Sequence, residues 1–372
     1  MSPGSPGDFF YLRKRTAIVQ LVLIFKPMNI HLTDHESRAG LQPFTCTRSV
    51  ADIRIGILTI WEKWQHLIQR YSDFPDSISM PAHLIPNLDN ASALVSLAST
   101  GKGFHSSTAF SLLHPWQIFQ YNDQVLKDDF LLLTQGRCSE PISATNRYSG
   151  NHQLFLEPGA SMEHCIINTS AGPVYIGKNA LVMEGCLIRG PVAICENATV
   201  KMGTKLYGAT TIGPHCVVGG EIKNAVLFGY SNKAHDGYLG DSVIGEWCNL
   251  GAGTSNSNVK NNAGMVSYRI EEDGERFPAG TKCGLLMGDY SRAAINSSFN
   301  TGSVVGVCCN IFGETLTPAY TNHFTWGRSR YNFENAIRDI NKWMAMKGKQ
   351  LNENDIHMLK QLFDQTNNSS NA

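Results

Sequence analysis

The second half of the chain carries aliphatic residues at every sixth position. Each six-residue unit predicts a short strand followed by a turn, and three such units close a triangular coil of about eighteen residues. Because the aliphatic side chains point inward, stacked coils bury a continuous apolar column. The period therefore predicts a hexapeptide β-helix, which we place at residues 141–325. The recurring residues are Ile176, Val182, Ile188, Ile194, Val200, Leu206, Ile212 and Val218, and in a second run Met287, Ala293, Phe299, Val305 and Ile311.

Small residues follow the same period. Four cysteines stand four residues after an aliphatic position, which predicts buried fillers rather than nucleophiles. A glycine that directly follows an aliphatic residue, such as Gly213, is expected where the turn has little room for a side chain. The four cysteines are Cys186, Cys216, Cys248 and Cys309.

The two ends of the chain lack the six-residue period. Residues 28–140 predict an α/β domain, with a first strand at residues 28–33 and helices at residues 60–68 and 115–133. Residues 326–372 predict a helical hairpin with a polar tail, because apolar residues recur at spacings of three and four on either side of Gly348. Residues 1–27 precede this pattern. We expect them to be a leader or a mis-called start, since their apolar run is too short to cross a bilayer.

The period also fails inside the β-helix, at residues 223–242 and 255–286. Departures from a solenoid map to loops, which often carry binding and catalytic residues. The densest polar cluster lies there, at residues 232–241, with the sequence NKAHDGYLGD. Lys205 and Lys223 are eighteen residues apart, so we expect them to stack on one face and to share an anion such as phosphate. The alternative is two exposed lysines on a solvated surface.

Composition excludes some classes of function. The 372 residues include 31 Lys+Arg and 31 Asp+Glu, so the chain has no net charge and no basic face for nucleic acid. No other segment approaches the length of a membrane span. The ten cysteines form no C-x-x-C pair, which favours a reduced, cytoplasmic compartment. A zinc enzyme is the least favoured alternative, because His164, His215 and His235 form no close ligand pair in sequence.

The polar cluster carries a family resemblance. Residues 235–241 read HDGYLGD, residues 244–245 read IG and residues 249–254 read NLGAGT. These segments resemble the acetyltransferase half of the bifunctional N-acetylglucosamine-1-phosphate uridyltransferase/glucosamine-1-phosphate N-acetyltransferase. Residues 43–59, PFTCTRSVADIRIGILT, residues 115–119, PWQIF, and most of residues 172–313 are similar to shorter bacterial sugar nucleotidyltransferase relatives of that enzyme. The resemblance implies an α/β nucleotidyltransferase-like N-terminal domain, then a left-handed parallel β-helix and a C-terminal helical hairpin.

The resemblance also implies an activity: CoA-dependent N-acetyl transfer to an amino-sugar phosphate or a nucleotide-linked amino sugar, in a homotrimer. Acetyl-CoA would be the co-substrate. In this chain the matching residues are His235 as general base, Lys223, Tyr238, Asn249 and Asn258 as substrate-binding residues, and Ala252 at the acyl donor. Two further residues depart from the family: Lys205 stands where it has a substrate-binding arginine, and Asp289 stands where it has a serine at the acyl donor. Chemistry agrees with this implication, because an amine that attacks a thioester must lose a proton, and a positioned imidazole can accept it.

The N-terminal domain departs from active sugar nucleotidyltransferases. Those enzymes carry a glycine-rich phosphate loop after the first strand, whereas residues 33–43 read TDHESRAGLQP, with one glycine. A single glycine does not give the run of backbone N–H groups that cradles a triphosphate. Arg38, Arg48 and Asp52 are the residues to test there. Two alternatives stay open: a Mg²⁺-dependent sugar-1-phosphate nucleotidyltransferase, and a non-catalytic scaffold that binds sugar nucleotides.

Overall fold

The N-terminal part of the chain forms a small α/β unit. The computed structural model describes residues 29–34, 37–70, 75, 77–101, 104, 109–271, 274–313 and 316–368, so the expectation for residues 1–27 lies outside the described residues. Two strands pair in parallel, β1 with β4, and two form a hairpin, β2 with β3. The elements are β1 (Asn29–Thr33), β2 (Arg54–Ile55), β3 (Leu58–Thr59), α1 (Ile60–Ile68), β4 (Ser77–Pro81), α2 (Ala91–Thr100) and α3 (Gln117–Thr134), with 3₁₀ turns at Ala39–Leu41, Phe44–Cys46 and Val50–Asp52.

Both helices predicted in this unit are confirmed. Helix α1 begins at the expected residue because Thr59 caps it: the Thr59 hydroxyl accepts from the Glu62 amide, and the Glu62 carboxylate accepts from the Thr59 amide. Helix α3 carries a buried face that includes Val125, Leu126 and Phe130. This face places α3 between the small sheet elements and the β-helix.

The hexapeptide period produces a left-handed parallel β-helix of about ten turns, as predicted. All eight aliphatic residues of the first run are at most 2% exposed. The predicted cysteine fillers are buried as well, and Gly213 has no room for a Cβ atom because the Phe228 carbonyl occupies that position. The period therefore reports the interior of the prism directly.

The strands of the β-helix form three faces, and β17 and β19 turn the corner from the first face to the third. The first face contains β5 (Arg147–Ser149), β8 (Ile166–Asn168), β11 (Leu187–Arg189), β14 (Lys205–Tyr207), β17 (Glu221–Leu227), β19 (Tyr238–Ile244), β21 (Ser255–Asn256) and β26 (Ser298–Phe299). The second face contains β7 (Ser161–Met162), β10 (Leu181–Val182), β13 (Thr199–Val200), β16 (Val217–Val218), β18 (Asn232–Lys233), β20 (Asn249–Leu250), β25 (Arg292–Ala293), β28 (Asn310–Ile311) and β30 (Thr325–Trp326), with β31 (Ser329–Arg330) paired antiparallel at its end. The third face contains β6 (Leu154–Leu156), β9 (Val174–Ile176), β12 (Val192–Ile194), β15 (Thr210–Ile212), β24 (Leu285–Met287), β27 (Ser303–Val305) and β29 (Tyr320–Thr321).

The first interruption of the period is not a loop. Lys205 pairs with Glu221, and Glu221 pairs with Tyr238, so successive coils here contain sixteen and seventeen residues. The chain stays in strands β17, β18 and β19 through most of this stretch. The expectation of an excursion was wrong because shortened coils shift the six-residue count without leaving the prism.

The second interruption does leave the prism, as predicted. Strands β22 (Val266–Arg269) and β23 (Arg276–Gly280) form an antiparallel hairpin that packs against the N-terminal unit. The rings of Tyr268 and Trp116 stack with centroids 5.4 Å apart, and Gln120 Nε2 donates to the Ala279 carbonyl at 2.6 Å. The hairpin thus joins the insertion to the start of α3.

The N-terminal unit lies along the third face and shares one hydrophobic core with it. Helix α3 contacts β15, β17 and β19. The shared core includes residues from both parts, among them Phe44, Trp64, Leu126 and Phe130 from the N-terminal unit, and Phe155, Tyr175, Val226, Phe228, Val243 and Leu286 from the β-helix. The two parts therefore pack as one body.

The C-terminal hairpin is confirmed by helices α4 (Phe333–Ala345) and α5 (Glu353–Asn368). Gly348 has a φ of 66° between them, in the left-handed region that glycine tolerates. The hairpin packs on the corner between the third and second faces, against Trp247, Tyr290 and Phe324. In the described part of the chain, no helix combines the length and the apolar character that crossing a membrane requires.

Candidate functional site

Two side chains of the HDGYLGD segment, Tyr238 and Asp241, form a hydrogen-bonded group on the first face with Asn224 and Asn258. Asn258 Nδ2 donates to the Tyr238 hydroxyl at 3.1 Å and also to the Asp241 carboxylate, while Asn224 Nδ2 donates to Asp241 Oδ1 at 2.7 Å. Burial, followed by the charge of Asp241, raises the pKa of Tyr238 well above its usual range. The phenol therefore stays protonated, and this part of the structure is a connected hydrogen-bonding surface.

Lys223 lies next to this surface, but Lys205 does not stack on Lys223. Lys223 is level with Tyr207, and its Nζ lies 5.9 Å from the centroid of the Tyr207 ring. Lys205 instead aligns with Glu221, whose Oε1 accepts from the Tyr207 hydroxyl at 2.6 Å. The expected lysine stack was wrong because the coil between them is two residues shorter than the assumed eighteen. Lys205 is an exposed residue of the same face, one column away from Lys223 and aligned through Glu221 with Tyr238, two coils distant.

His235 lies exposed in a tight turn at the corner between the second and first faces. Lys233 anchors this turn from inside: its side chain is fully buried, and its ammonium group donates to the His235 carbonyl and, at 3.2 Å, to the Asp236 carbonyl. Burial lowers the pKa of Lys233 to about 8. Sequence reasoning missed this residue, although a lysine at an inward position, paired with Val218, is the signal that could have found it.

Ala252 lies at the same corner in the next coil. The Gly253 amide donates to the Asp236 carbonyl at 3.0 Å, which joins the two turns. The amides of Gly251, Gly253 and Thr254 each donate to a backbone carbonyl, whereas the Ala252 amide has no acceptor among the described residues. A free backbone donor thus stands beside the His235 turn. One coil further on, the Ile295 amide also has no acceptor among the described residues. An unpaired amide at this position is therefore a property of this type of turn.

Asn249 is not brought to the Tyr238 surface within one protomer. It lies on the second face, aligned with Asn232 and Arg292, whereas Tyr238 and Asn258 belong to the first face. The prism corner that carries His235 separates the two groups. The predicted contact of Asn249 with the same sugar therefore requires another copy of the chain.

Asp289 is placed away from the His235 corner, beneath the N-terminal unit. It is 2% exposed, accepts from the Thr47 hydroxyl at 2.5 Å and from Arg48, and its Oδ1 accepts from the Glu246 amide at 2.7 Å. Both carboxylate oxygens are thus occupied. The expectation that Asp289 contacts an acyl donor does not fit this placement, and we assign it to the junction of the two parts instead.

In the described part of the segment that follows the first strand, Arg38, Arg48 and Asp52 do not converge on one phosphate site. Arg38 pairs with Asp34 at 3.0 Å, and Asp34 also accepts from the Val50 amide at 3.1 Å. Arg48 is committed to Asp289 and Glu246, and Asp52 accepts from the Ser49 hydroxyl at 2.9 Å. The three residues named from the sequence thus contact other protein groups.

His164, His215 and His235 lie in turns of different coils. Among the residues that the structure describes, no three His, Cys, Asp or Glu side chains are grouped closely enough to hold a metal ion. All ten cysteines are free thiols.

Gly240 leaves the space in which the Tyr238 ring lies. A Cβ atom at residue 240 would approach Tyr238 Cε1 to 2.6 Å, and the backbone there is not left-handed, so the conflict is purely steric. We expect Gly240→Ala to displace the Tyr238 ring, to break its bond to Asn258 and to lower the free energy of unfolding by about 1–3 kcal/mol. Urea denaturation measures this change.

Gly229→Ala is the matched control for this substitution. The nearest atom to a Cβ at residue 229 is the flexible end of Glu246, at 3.4 Å, so little change is expected. In a Tyr238→Ala background, Gly240→Ala should lower the free energy of unfolding much less than it does in the wild type. Equal losses of free energy in both backgrounds would show that a clash with the Tyr238 ring is not the reason for the glycine.

Fold and site together define a class: a nucleotidyltransferase-like N-terminal region joined to a left-handed β-helix with a polar site at one corner. Residues 30–84 match a family model described as sugar nucleotidyl transferase. The chain is 31% identical over 146 residues to the bifunctional protein GlmU of Methanocaldococcus jannaschii, covering 39% of this chain and 33% of the relative. With GlmU of Trichodesmium erythraeum the identity is 38% over 86 residues, covering 23% and 18%.

A third relative is described as a bifunctional sugar-1-phosphate nucleotidylyltransferase/acetyltransferase. It comes from Sulfurisphaera tokodaii and is 31% identical over 152 residues, which cover 35% of this chain and 37% of the relative. The chain thus matches a GlmU-like family, as the sequence resemblance predicted. The matched segment spans less than two-fifths of the length of each of these three relatives.

Proposed function

We propose that this protein is a CoA-dependent N-acetyltransferase that acts on an amino-sugar phosphate or a nucleotide-linked amino sugar. The observation that carries the proposal is the shared corner of the prism, where the exposed His235 turn is bonded to the turn that presents the free Ala252 amide. A proton acceptor and an oxyanion donor on adjacent coils are what acyl transfer from a thioester requires. The description of the Sulfurisphaera tokodaii relative as a bifunctional sugar-1-phosphate nucleotidylyltransferase/acetyltransferase supports the same chemistry.

In the proposed reaction the substrate amine attacks the thioester carbonyl. The C–N bond forms as His235 accepts the amine proton, and the Ala252 amide donates to the oxygen that becomes negative. The C–S bond then breaks, the amide product forms and CoA leaves as a thiol after taking up a proton. Tyr238 and Asn258 would bind the sugar hydroxyls, and the ammonium group of Lys223 would bind the phosphate.

Assembly into a homotrimer belongs to this proposal. Asn249 and Tyr238 lie on different faces of one protomer, so a neighbouring copy is needed to bring the two together. The first face offers a contact surface, since Ile166 and Leu187 are exposed there in adjacent strands. Sedimentation of the full chain tests this assembly directly.

Lys223→Met should raise the KM for the sugar phosphate while kcat changes little. Loss of one charge-assisted bond to phosphate corresponds to roughly a ten- to hundred-fold rise in KM. The measurement is CoA release from acetyl-CoA with glucosamine 1-phosphate, followed by mass spectrometry rather than by a thiol dye because Cys138 is exposed. Lys178→Met, an exposed lysine in another turn, is the control and should behave as the wild type.

The same assay distinguishes the alternatives. CoA release by the wild type that is unchanged by Lys223→Met would contradict the placement of the sugar phosphate. Pyrophosphate release from a nucleoside triphosphate and a sugar phosphate, dependent on Mg²⁺ and without acetyl transfer, would establish nucleotidyl transfer instead. Binding without turnover across panels of acyl-CoA and sugar phosphates would favour the scaffold.

A further inference from the structure

Four polar side chains form a column on the second face, away from the Tyr238 surface. Asn232 aligns with Asn249, Asn249 with Arg292, and Arg292 with Asn310, each on the next strand of the same parallel sheet. We call these four residues the Arg292 column. Alignment in register means that all four side chains leave the same side of the sheet.

Several polar atoms of the Arg292 column lack partners. Within the described residues, Arg292 Nε and Nη2, Asn310 Nδ2 and Asn232 Oδ1 are buried and make no hydrogen bond. Three of the four atoms are donors, on neighbouring strands. Buried polar atoms in proteins are nearly always hydrogen-bonded, so a group of unpaired atoms in one column indicates a missing partner.

Arg292 is the charged member of the column and is only 8% exposed. Its guanidinium lies over the Trp343 ring of α4, 5.2 Å from the centroid, so the C-terminal hairpin covers it. Asp339 of α4 makes no ion pair with Arg292: it accepts from the Tyr331 hydroxyl at 2.7 Å and pairs with Arg338 and Lys342. The guanidinium is therefore buried without an anion.

A buried, unpaired cation is unfavourable, and arginine does not relieve this cost by losing its proton. The Nε and Nη2 atoms form one edge of the guanidinium, which matches two oxygens of a phosphoryl group or carboxylate. The Asn310 amide adds a third donor on the next strand, and a carboxylate that already pairs both of its oxygens with the guanidinium edge has no third oxygen for it. A tetrahedral oxyanion satisfies this set better than a planar one.

We propose that the Arg292 column binds the phosphoryl group of a small molecule beneath the C-terminal hairpin. Asn232 lies two strands from Arg292, roughly 10 Å away, so its free oxygen would accept from a hydroxyl or N–H group at the other end of the ligand. The phosphoryl group belongs either to a phosphate ester or to the acyl donor. The proposal does not rest on the acetyltransferase activity: Asn249 is the one residue of the column that the proposed acetyl transfer also uses, whereas Arg292, Asn310 and Asn232 have no role in that reaction.

Titration calorimetry on the full chain tests this site with inorganic pyrophosphate as the probe. We expect Arg292→Gln to weaken binding by at least about ten-fold. Arg330→Gln is the matched control, because Arg330 also lies over an aromatic ring of the hairpin, Phe363, but already donates to the Phe363 carbonyl and the Thr366 hydroxyl. Its affinity for pyrophosphate should stay within about two-fold of the wild type.

Separate titrations with glucosamine 1-phosphate and with CoA identify the source of the phosphoryl group. The ligand whose affinity falls in Arg292→Gln is the one that reaches this column. Absence of pyrophosphate binding to the wild type up to about 10 mM, or equal losses in Arg292→Gln and Arg330→Gln, would overturn the proposal. If pyrophosphate binds as expected but no acetyl transfer is measured, only the proposed function fails and the Arg292 proposal stands.

Melting of Arg292→Met provides a second measurement that does not depend on tight binding. An apolar side chain removes the buried charge, so in a buffer without phosphate or pyrophosphate the Tm of Arg292→Met should equal or exceed that of the wild type. Pyrophosphate should raise the Tm of the wild type more than that of Arg292→Met. Equal increases in both proteins would reveal a general salt effect and contradict a specific site.

Discussion

Replacing Asp129 with Asn is expected to lower the free energy of unfolding by about 3–5 kcal/mol. Asp129 on α3 and Lys63 on α1 form an ion pair in which both side chains are at most 2% exposed. The substitution replaces the carboxylate with an amide of nearly the same shape, which leaves the Lys63 charge buried without a carboxylate. Uncompensated charge in a low dielectric is the reason for the large effect.

The pair also holds the turn between β2 and β3. Asp129 Oδ2 accepts from the Ile57 amide at 2.8 Å and from the Leu58 amide at 3.1 Å, and Lys63 Nζ donates to the Ile55 carbonyl at 2.8 Å. Burial shifts the pKa of Asp129 upward and the pKa of Lys63 downward, while each partner opposes the shift of the other. Neither group is stable as a lone ion in this position.

Urea denaturation of Asp129→Asn, Lys63→Met and the double variant measures the coupling. Each single change should be costly, whereas the double variant should recover much of the loss because no charge remains buried. Lys127→Met is the control on the same helix: Lys127 pairs with Asp123 at 2.6 Å, but both are solvent-accessible, so less than about 1 kcal/mol is expected. Additive losses in the double variant would contradict the coupling.

His235→Ala is expected to lower the rate of acetyl transfer by about 10²- to 10⁴-fold. The imidazole is exposed and the turn is held by Lys233 and Gly253 through backbone carbonyls, so the substitution removes the proposed proton acceptor without removing the contacts that shape the turn. The loss should appear in kcat, because the base acts as the C–N bond forms rather than in substrate binding.

The measurement is CoA release at saturating acetyl-CoA and glucosamine 1-phosphate, with circular dichroism to confirm the fold. His164→Ala is the matched control, since His164 is an exposed histidine in a turn of the first coil. It should leave the rate unchanged. A folded His235→Ala protein that turns over normally would show that another group accepts the proton.

Much of the fold was predictable because the period of the β-helix is a direct record of its interior. Inward residues such as Ile188 and Val200 must be aliphatic in every coil, whatever lies outside. The shortened coils were not predictable in the same way. Strands β17 and β19 each continue through a corner with consecutive buried residues at their ends, so neither the count of six nor an alternation of buried and exposed residues marks them in the sequence.

The candidate site was predictable only in part, because sequence spacing does not report which faces are covered. Motif positions directed attention to Tyr238 and Asn258, which are hydrogen-bonded to each other, and to His235 at the neighbouring corner, and the roles of all three stay predictions. The burial of Asp289 depends on Thr47 and Arg48, which lie more than two hundred residues earlier in the chain. A contact between residues so far apart in the chain produces no periodic pattern in the sequence around either of them. Lys233 was missed because the shortened coil aligns it with Val218, fifteen residues earlier, so the count of six does not mark residue 233 as an inward position.

The continuous apolar interior between the N-terminal unit and the third face limits how this protein can be dissected. Residues such as Phe155, Tyr175 and Phe228 are buried only because the N-terminal unit lies on them. A fragment that begins at the β-helix would present these aromatic rings to water and to other fragments. Assigning activities to one half or the other therefore calls for point substitutions in the intact polypeptide, and truncation would confuse loss of chemistry with loss of solubility.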